Sequence, residues 1–203
     1  DDARILRLMR LYDETCLALC EGQFMDIWTS EHDEWQSVDY YFDLIGRKTA
    51  SLIAGSAEAG AVLATEDESV IGAYRRFGWA LGLAFQLNDD LLGIWGDEAQ
   101  TGKETSDIAT RKKTLPLIYA LAESTGQDQA RLQAILAQSQ TEPRADEIGE
   151  VLAILERVGA REYTRTRARE YRDEALAQLA SVGTVDSESM ERLADVVRGV
   201  IRA

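Results

Sequence analysis

Apolar residues recur at intervals of three and four along nearly the whole chain, the period of an α-helix that buries one face. No stretch of useful length alternates with the two-residue period of a strand. Only two prolines, Pro116 and Pro143, interrupt 203 residues, and proline is the residue that breaks helices. The pattern predicts an all-α fold. A first helix covers roughly residues 3–27, with Ile5, Leu8, Met9, Tyr12, Cys16, Leu19 and Gln23 on one stripe. A second opens near 37–39 and carries Tyr41, Leu44, Ile45, Lys48, Thr49, Leu52, Ile53 and Ser56 on a broad face. Its far half, 50–64, is rich in Ala, Gly and Ser, which lets another helix approach closely. A third starts in Glu66-Asp67-Glu68, acids that suit a helix N-terminus, and runs to about Trp95 as the most apolar of the set. Periodicity breaks over 96–102, and 103–113 reads as a polar loop or short helix. Thr114 and Pro116 mark a new start that ends near Gly126. Further helices are predicted over 128–138, 145–158, 160–179 and 187–201, with Gly159 and Gly183 as joints. Residues 1–203 read as a single domain.

With 45% hydrophobic and 29% charged residues, the chain has the balance of a globular domain with a real core. Its 36 acids against 22 bases give a net charge of -14, which disfavours nucleic acid or an anionic membrane as partner while leaving room for a local anion site. The uncharged stretch 77–88 falls short of the ~20 residues that a membrane span needs. The first thirty residues carry many charges and no apolar signal core. The expectation is a cytoplasmic protein with no stable membrane anchor. Cys16 and Cys20, one helical turn apart, are aimed along the helix and not at each other, so no disulfide is expected. His32 is the only histidine, which leaves no Cys/His zinc set and no ready Ser-His-Asp triad. Chemistry must then rest on carboxylates, lysines, amides or hydroxyls. The run Arg161, Arg165, Arg167, Arg169, Arg172, interleaved with acids, reads as a solvated face.

Acid pairs are common in this chain, but Asp89-Asp90 differs by context. From Phe77 to Gly96 these are the only charges, set in Phe-Gly-Trp-Ala-Leu-Gly-Leu-Ala-Phe-Gln-Leu-Asn before and Leu-Leu-Gly-Ile-Trp-Gly after. Adjacent carboxylates on a largely buried helix repel each other and lose hydration unless a cation compensates. Oxygen donors without nitrogen or sulfur point to Mg²⁺, which with few protein ligands bridges to substrate phosphates. Gln86 shares their face with Gly82 and Gly93, whose missing side chains leave room for a ligand. The competing reading is a solvent-facing or capping pair. Of the 22 basic residues only Lys48, Lys103, Lys112 and Lys113 are lysine, all within one third of the chain. Point charges placed on phosphate would explain that choice, and chance clustering is the alternative.

Phe85-Gln86-Leu87-Asn88-Asp89-Asp90-Leu91-Leu92-Gly93, then Gly102-Lys103, Asp107-Ile108 and Lys112-Lys113-Thr114-Leu115-Pro116, resembles the second aspartate-rich region of the polyprenyl synthetase family, the trans-isoprenyl diphosphate synthases. Upstream, Gly22-Gln23-Phe24-Met25-Asp26 resembles the family's GQxxD helix, and Gly46-Arg47-Lys48-Thr49 its lysine-threonine site. Within the family the pattern most resembles bacterial geranylgeranyl diphosphate synthase-like members. The resemblance implies an isoprenoid-synthase-type helical bundle around a central pocket. It further implies a Mg²⁺-dependent prenyltransferase condensing isopentenyl diphosphate with an allylic diphosphate, working as a homodimer. Asp89 and Asp90 would bind Mg²⁺; Lys48 and Lys103 would hold the diphosphate, with Lys112 adding charge; and Asp107 would support the metal's water shell. Gln86 and Thr49 would line the reacting end, and Gln23, Asp26 and Phe85 the pocket.

Two departures stand out. Gly93 occupies the position where many members carry a third aspartate. The first aspartate-rich motif, DDxxD, and the upstream residues that hold isopentenyl diphosphate do not occur in these 203 residues, so the chain corresponds to the later two-thirds or so of a member, without its N-terminal helices. Competing functions are a non-catalytic helical subunit of a heteromeric synthase, which predicts degraded metal and lysine sites, and a terpene cyclase of related fold.

Overall fold

The computed structural model of the chain describes residues 2–32, 34–96, 106–137, 142–183 and 186–200. Among these every regular element is helical: α1 (Asp2–Glu31), α2 (Val38–Ile45), a π-helical turn (Gly46–Ala50), α3 (Ser51–Ala64), α4 (Glu68–Trp95), α5 (Ser106–Ala109), α6 (Leu115–Glu123), α7 (Gly126–Leu136), α8 (Ala145–Arg157), α9 (Ala160–Ser181) and α10 (Ser187–Val200). The all-α expectation holds, with most boundaries within a few residues of those expected. No helix of the described residues is long and apolar enough to cross a membrane. Cys16 and Cys20 are both free thiols.

The described residues form two compact units. The first comprises those of Asp1–Asp26, Asp43–Gln86 and Ala168–Arg202. Phe77, Ala80 and Leu81 of α4 pack there with Ala175 and Leu179 of α9 and Val197 of α10. A second patch joins Ala61, Val62 and Ile71 to Leu8 and Tyr74. The second unit comprises Ile27–Phe42 and Leu87–Arg167. Its core gathers Ile94, Ile108, Leu117, Leu132, Ile135, Val151, Ile154 and Leu155, with Trp35 and Trp95 against it. Thr114, in extended conformation, precedes α6, whose Pro116 sits in the first turn. Its missing N–H falls there on a position with no helical partner. Gly159 turns the chain from α8 to α9 at φ +72, a left-handed conformation that glycine adopts without steric cost.

Three features depart from the sequence pattern. The expected second helix is not uniform, because Lys48 and Thr49 lie in the π-helical turn that interrupts it; such turns are common at functional sites. The stripe expected to pack on α1 is instead largely outward: Ile5, Met9 and Tyr12 are exposed, while Leu11 is buried and Leu8 joins the core. Small residues set this register. A Cβ on Gly22 would lie 2.7 Å from Lys48 Cα and 2.8 Å from Arg47 C, and Gly55 faces Thr15 in the same way. Third, the arginines of α9 are not a simple solvated face. Arg161 stacks 5.3 Å over the Trp95 ring and Arg167 5.4 Å over Phe42, contacts that shelter the stems and favour the charge.

The backbone contact at Gly22 sets a test. Gly22→Ala must push two helical backbones apart, so it is expected to lower unfolding stability by about 1–3 kcal/mol or more. Gly60, exposed in α3, has nothing within 4 Å of the point where a Cβ would stand, and Gly60→Ala should gain about 1 kcal/mol from helix propensity. Urea denaturation of the two variants beside the parent measures both.

Candidate active site

In the first unit the two upstream motifs interlock. Gly22 lets α1 meet the backbone of the π-helical turn at Lys48. One turn later, Asp26 accepts a 2.5 Å hydrogen bond from Lys48 Nζ. The ends of the Gly22-Gln23-Phe24-Met25-Asp26 motif thus both serve Lys48, the glycine by absence of bulk and the aspartate by charge. Arg47, beside it, is drawn the other way, to Glu21 at 2.5 Å and Asp43 at 2.9 Å. Thr49 Oγ1 donates to Gln86 Oε1 at 2.9 Å, joining two predicted site residues from the π-helical turn and α4. Gln23 and Phe85 are exposed.

In the second unit Asp89 and Asp90, adjacent on α4, have opposite environments: their side chains are 55% and 1% exposed. Asp90 Oδ2 accepts the Leu115 backbone N–H at 2.9 Å and the buried phenol of Tyr41. Two donors on one oxygen supply much of what burial removes from a carboxylate. Lys112 Nζ sits 3.3 Å from Asp89 Oδ2, 3.5 Å from Asp107 Oδ2 and 4.0 Å from Asp90 Oδ1. The backbone delivers it there: Lys112 N bonds Asp107 O at 3.0 Å and Arg111 N bonds Ile108 O at 3.1 Å, the paired bonds of a Schellman ending to α5. Arg111, at φ 52, takes the left-handed position usually given to glycine. Its Nε bonds Ile135 O at 3.3 Å.

Burial alone would lower the Lys112 pKa, but the charges of Asp90, Asp107 and Asp89 outweigh it and hold the ammonium above its ordinary 10.5. Burial, then the charge of Asp90 and the hydrogen bond to it, push the Tyr41 phenol well above 10.0.

Lys113, the neighbour of Lys112, points to main-chain oxygens: Thr29 O at 2.5 Å, Glu34 O at 2.8 Å, and His32 O. It donates to carbonyls at and just past the C-terminal end of α1, where a cation is favoured, so its ammonium is directed at the main chain. Lys103, predicted on the diphosphate, lies outside the described residues. Tyr41 shapes the site although no sequence signal marks it out. Tyr41 reads as one more apolar position on its helix, and nothing local marks a buried phenol as a donor to a carboxylate 49 positions away.

Among the described residues no three His, Cys, Asp or Glu side chains converge closely enough to cage a metal by themselves. Among the described residues, the side-chain oxygens that meet Lys112 are carboxylates. That chemistry fits a hard divalent cation that keeps several waters and shares a phosphate, and does not fit zinc or copper.

Tyr41→Phe removes a buried donor to Asp90 and is expected to cost about 1–3 kcal/mol. Tyr41 and Lys112 both bind their protons more tightly in the folded chain, so their contribution is fully present below the ordinary values of 10.0 and 10.5 and is lost as pH rises beyond them. Denaturation midpoints from about pH 8 to pH 11 should fall on the alkaline side, and fall less steeply in Tyr41→Phe.

Residues 2–155 match the polyprenyl synthetase family. A geranylgeranyl diphosphate synthase of Mycobacterium tuberculosis is 37% identical over 180 residues, 88% of this chain and 51% of that protein. Of solved structures, the polyprenyl synthetase of Streptomyces coelicolor A3(2) has a TM-score of 0.87 at 34% identity, covering 98% of this chain and 60% of its own. The geranylgeranyl pyrophosphate synthase of Corynebacterium glutamicum, complexed with isoprenyl diphosphate and magnesium, has a TM-score of 0.86 at 26% identity, covering 98% of this chain and 56% of its own. The chain spans about half the length of the curated relatives it matches. With its all-helical architecture, its interlocked Gly22–Asp26 and Lys48 motifs and its Asp89-Asp90 region in family order, the chain belongs to the polyprenyl synthetase family.

Proposed function

We propose that the chain acts in head-to-tail prenyl transfer, condensing isopentenyl diphosphate with an allylic diphosphate to a linear isoprenyl diphosphate such as geranylgeranyl diphosphate. The observation that carries this reading is the convergence of Asp89, Asp90 and Asp107 on Lys112 at 3.3 to 4.0 Å. Oxygen donors with a lysine among them suit a metal-bound diphosphate, and the family assignment supplies its organic half. The names of relatives, which include geranylgeranyl and short-chain isoprenyl diphosphate synthases, support the product class. A cytoplasmic homodimer belongs to the same proposal.

Asp89 and Asp90 would hold Mg²⁺, with Asp107 supporting its waters. When bound, the metal supplies positive charge to the departing diphosphate. Lys48, Lys103 and Lys112 would take the diphosphate oxygens, so leaving-group charge meets fixed cations as the allylic C–O bond breaks. Asp26 holds Lys48 until anionic substrate competes for the ammonium. Thr49 and Gln86, already bonded to each other, would line the reacting end of the allylic chain, and Gln23, Phe85 and Asp26 its surroundings. The double bond of isopentenyl diphosphate then attacks the allylic cation, and loss of a proton completes the new C–C bond. No histidine or cysteine is needed, because the barrier lies in separating charge.

Purified protein incubated with isopentenyl diphosphate and each short allylic diphosphate, with and without Mg²⁺, is expected to yield a longer linear diphosphate by mass spectrometry only when Mg²⁺ is present. Asp89→Asn should lower turnover by about 10²-fold or more. Absence of product in every combination, or near-parental turnover in Asp89→Asn, overturns the reading.

A further inference from the structure

The 30-residue helix α1 ends without the usual aids. Its last turn holds no basic residue, and no glycine occurs between Gly22 and Gly46 to close it. The sequence instead adds Glu31, Asp33 and Glu34 at the negative pole of the helix, where acids are disfavoured. The cation comes from Lys113, 84 positions from Thr29. Its Nζ donates to Thr29 O at 2.5 Å, to Glu34 O at 2.8 Å and to His32 O, which gives each of the three ammonium protons an acceptor. The Trp35 ring lies 5.7 Å from the same nitrogen and adds a cation–π attraction. The turn held in this way leads into Tyr40 and Tyr41. Tyr40 OH shares a 3.3 Å hydrogen bond with Thr29 Oγ1, and Tyr41 OH donates to Asp90 Oδ2. Two residues beyond Lys113, the Leu115 N–H meets the same oxygen at 2.9 Å. Lys113 therefore joins two segments that each deliver a donor to Asp90.

We propose that Lys113 is a positioning residue: by capping α1 from the lead-in to α6, it ties the turn after α1 to the start of α6 and so sets the Tyr41 phenol and the Leu115 N–H on one carboxylate oxygen. An ammonium suits this task because its three protons spread around a point. Arginine keeps the charge but presents a longer, planar fork that fits three surrounding carbonyls less well. The cap is a property of the fold; its consequence for ligand binding rests on the metal-diphosphate reading above.

Amide hydrogen exchange of the full chain, read residue by residue by NMR, tests the cap without any ligand. Lys113→Met keeps the stem and removes the charge. It is expected to speed exchange of the Tyr41 and Leu115 amides by about 10-fold more than that of the core amides of Leu132 and Leu155. Lys113→Arg is expected to show the same local pattern to a smaller degree, and decides the matter should Lys113→Met not fold. Calorimetric titration with Mg²⁺ and inorganic pyrophosphate reads the consequence. Lys113→Met should weaken binding by about 10-fold, and by much less in a Tyr41→Phe background, because both changes act through Asp90. Parental exchange rates, or an equal acceleration at all four amides, overturn the cap while leaving the metal reading intact; weakened pyrophosphate binding with parental exchange would mark a lysine that serves the anion alone. Fully additive losses with Tyr41→Phe overturn the shared action on Asp90. A parent chain that takes up no Mg²⁺ with pyrophosphate overturns the metal reading, and the exchange pattern still judges the cap.

Discussion

Asp90 carries a carboxylate with 1% of its surface open to solvent, within the uncharged apolar surroundings of the long helix α4. Removing such a group from water costs several kcal/mol unless donors and opposite charge replace the lost hydration. The second unit is built around that replacement. The N-terminal amide of α6 and the Tyr41 phenol converge on one oxygen, and the Lys112 ammonium stands 4.0 Å from the other. Each donor fixes an element: Tyr41 the start of α2, Leu115 the first turn of α6, and Lys112 the ending of α5. With Asp90 committed inward, the neighbouring Asp89 is left half exposed, where a ligand can reach it. Two adjacent and chemically identical side chains thus take different parts because the helix turns one into the core and the other out of it.

In the first unit the governing constraint is steric. Gly22, Gly55, Gly78 and Gly82 each sit where a Cβ would strike a backbone or side chain of a neighbouring helix. Close helix approach of this kind places Asp26 within hydrogen-bonding range of Lys48, and the π-helical turn sets Thr49 against Gln86. Large apolar residues on α1, including Ile5, Met9, Tyr12 and Phe24, are exposed in the described chain, so the stripe read from periodicity is not the face that meets Lys48.

Three carboxylates face one lysine among the described residues of the second unit, two from α4 and one from α5. Electrostatic stabilisation depends on where charge lies and much less on which Cα carries it.

Helical period, the scarcity of proline and the acidic or proline-marked helix starts made the all-α class and most element boundaries legible along the chain, because these signals are local. The isolation of Asp89-Asp90 in an apolar run and the order of the motifs made the family legible. Several features were not readable there. The π-helical turn at Lys48 and the outward stripe of α1 depend on which glycines meet which backbones. The aromatic shelter of Arg161 and Arg167 depends on rings from distant segments. Adjacent Lys112 and Lys113 share every local property, yet one meets three carboxylates and the other three carbonyls. The sequence by itself determined which residues carry charge and which segments coil. Only the tertiary structure decided what each charge faces, because partners distant along the chain leave no trace in local periodicity, and the energy of a buried charge is set by its partners.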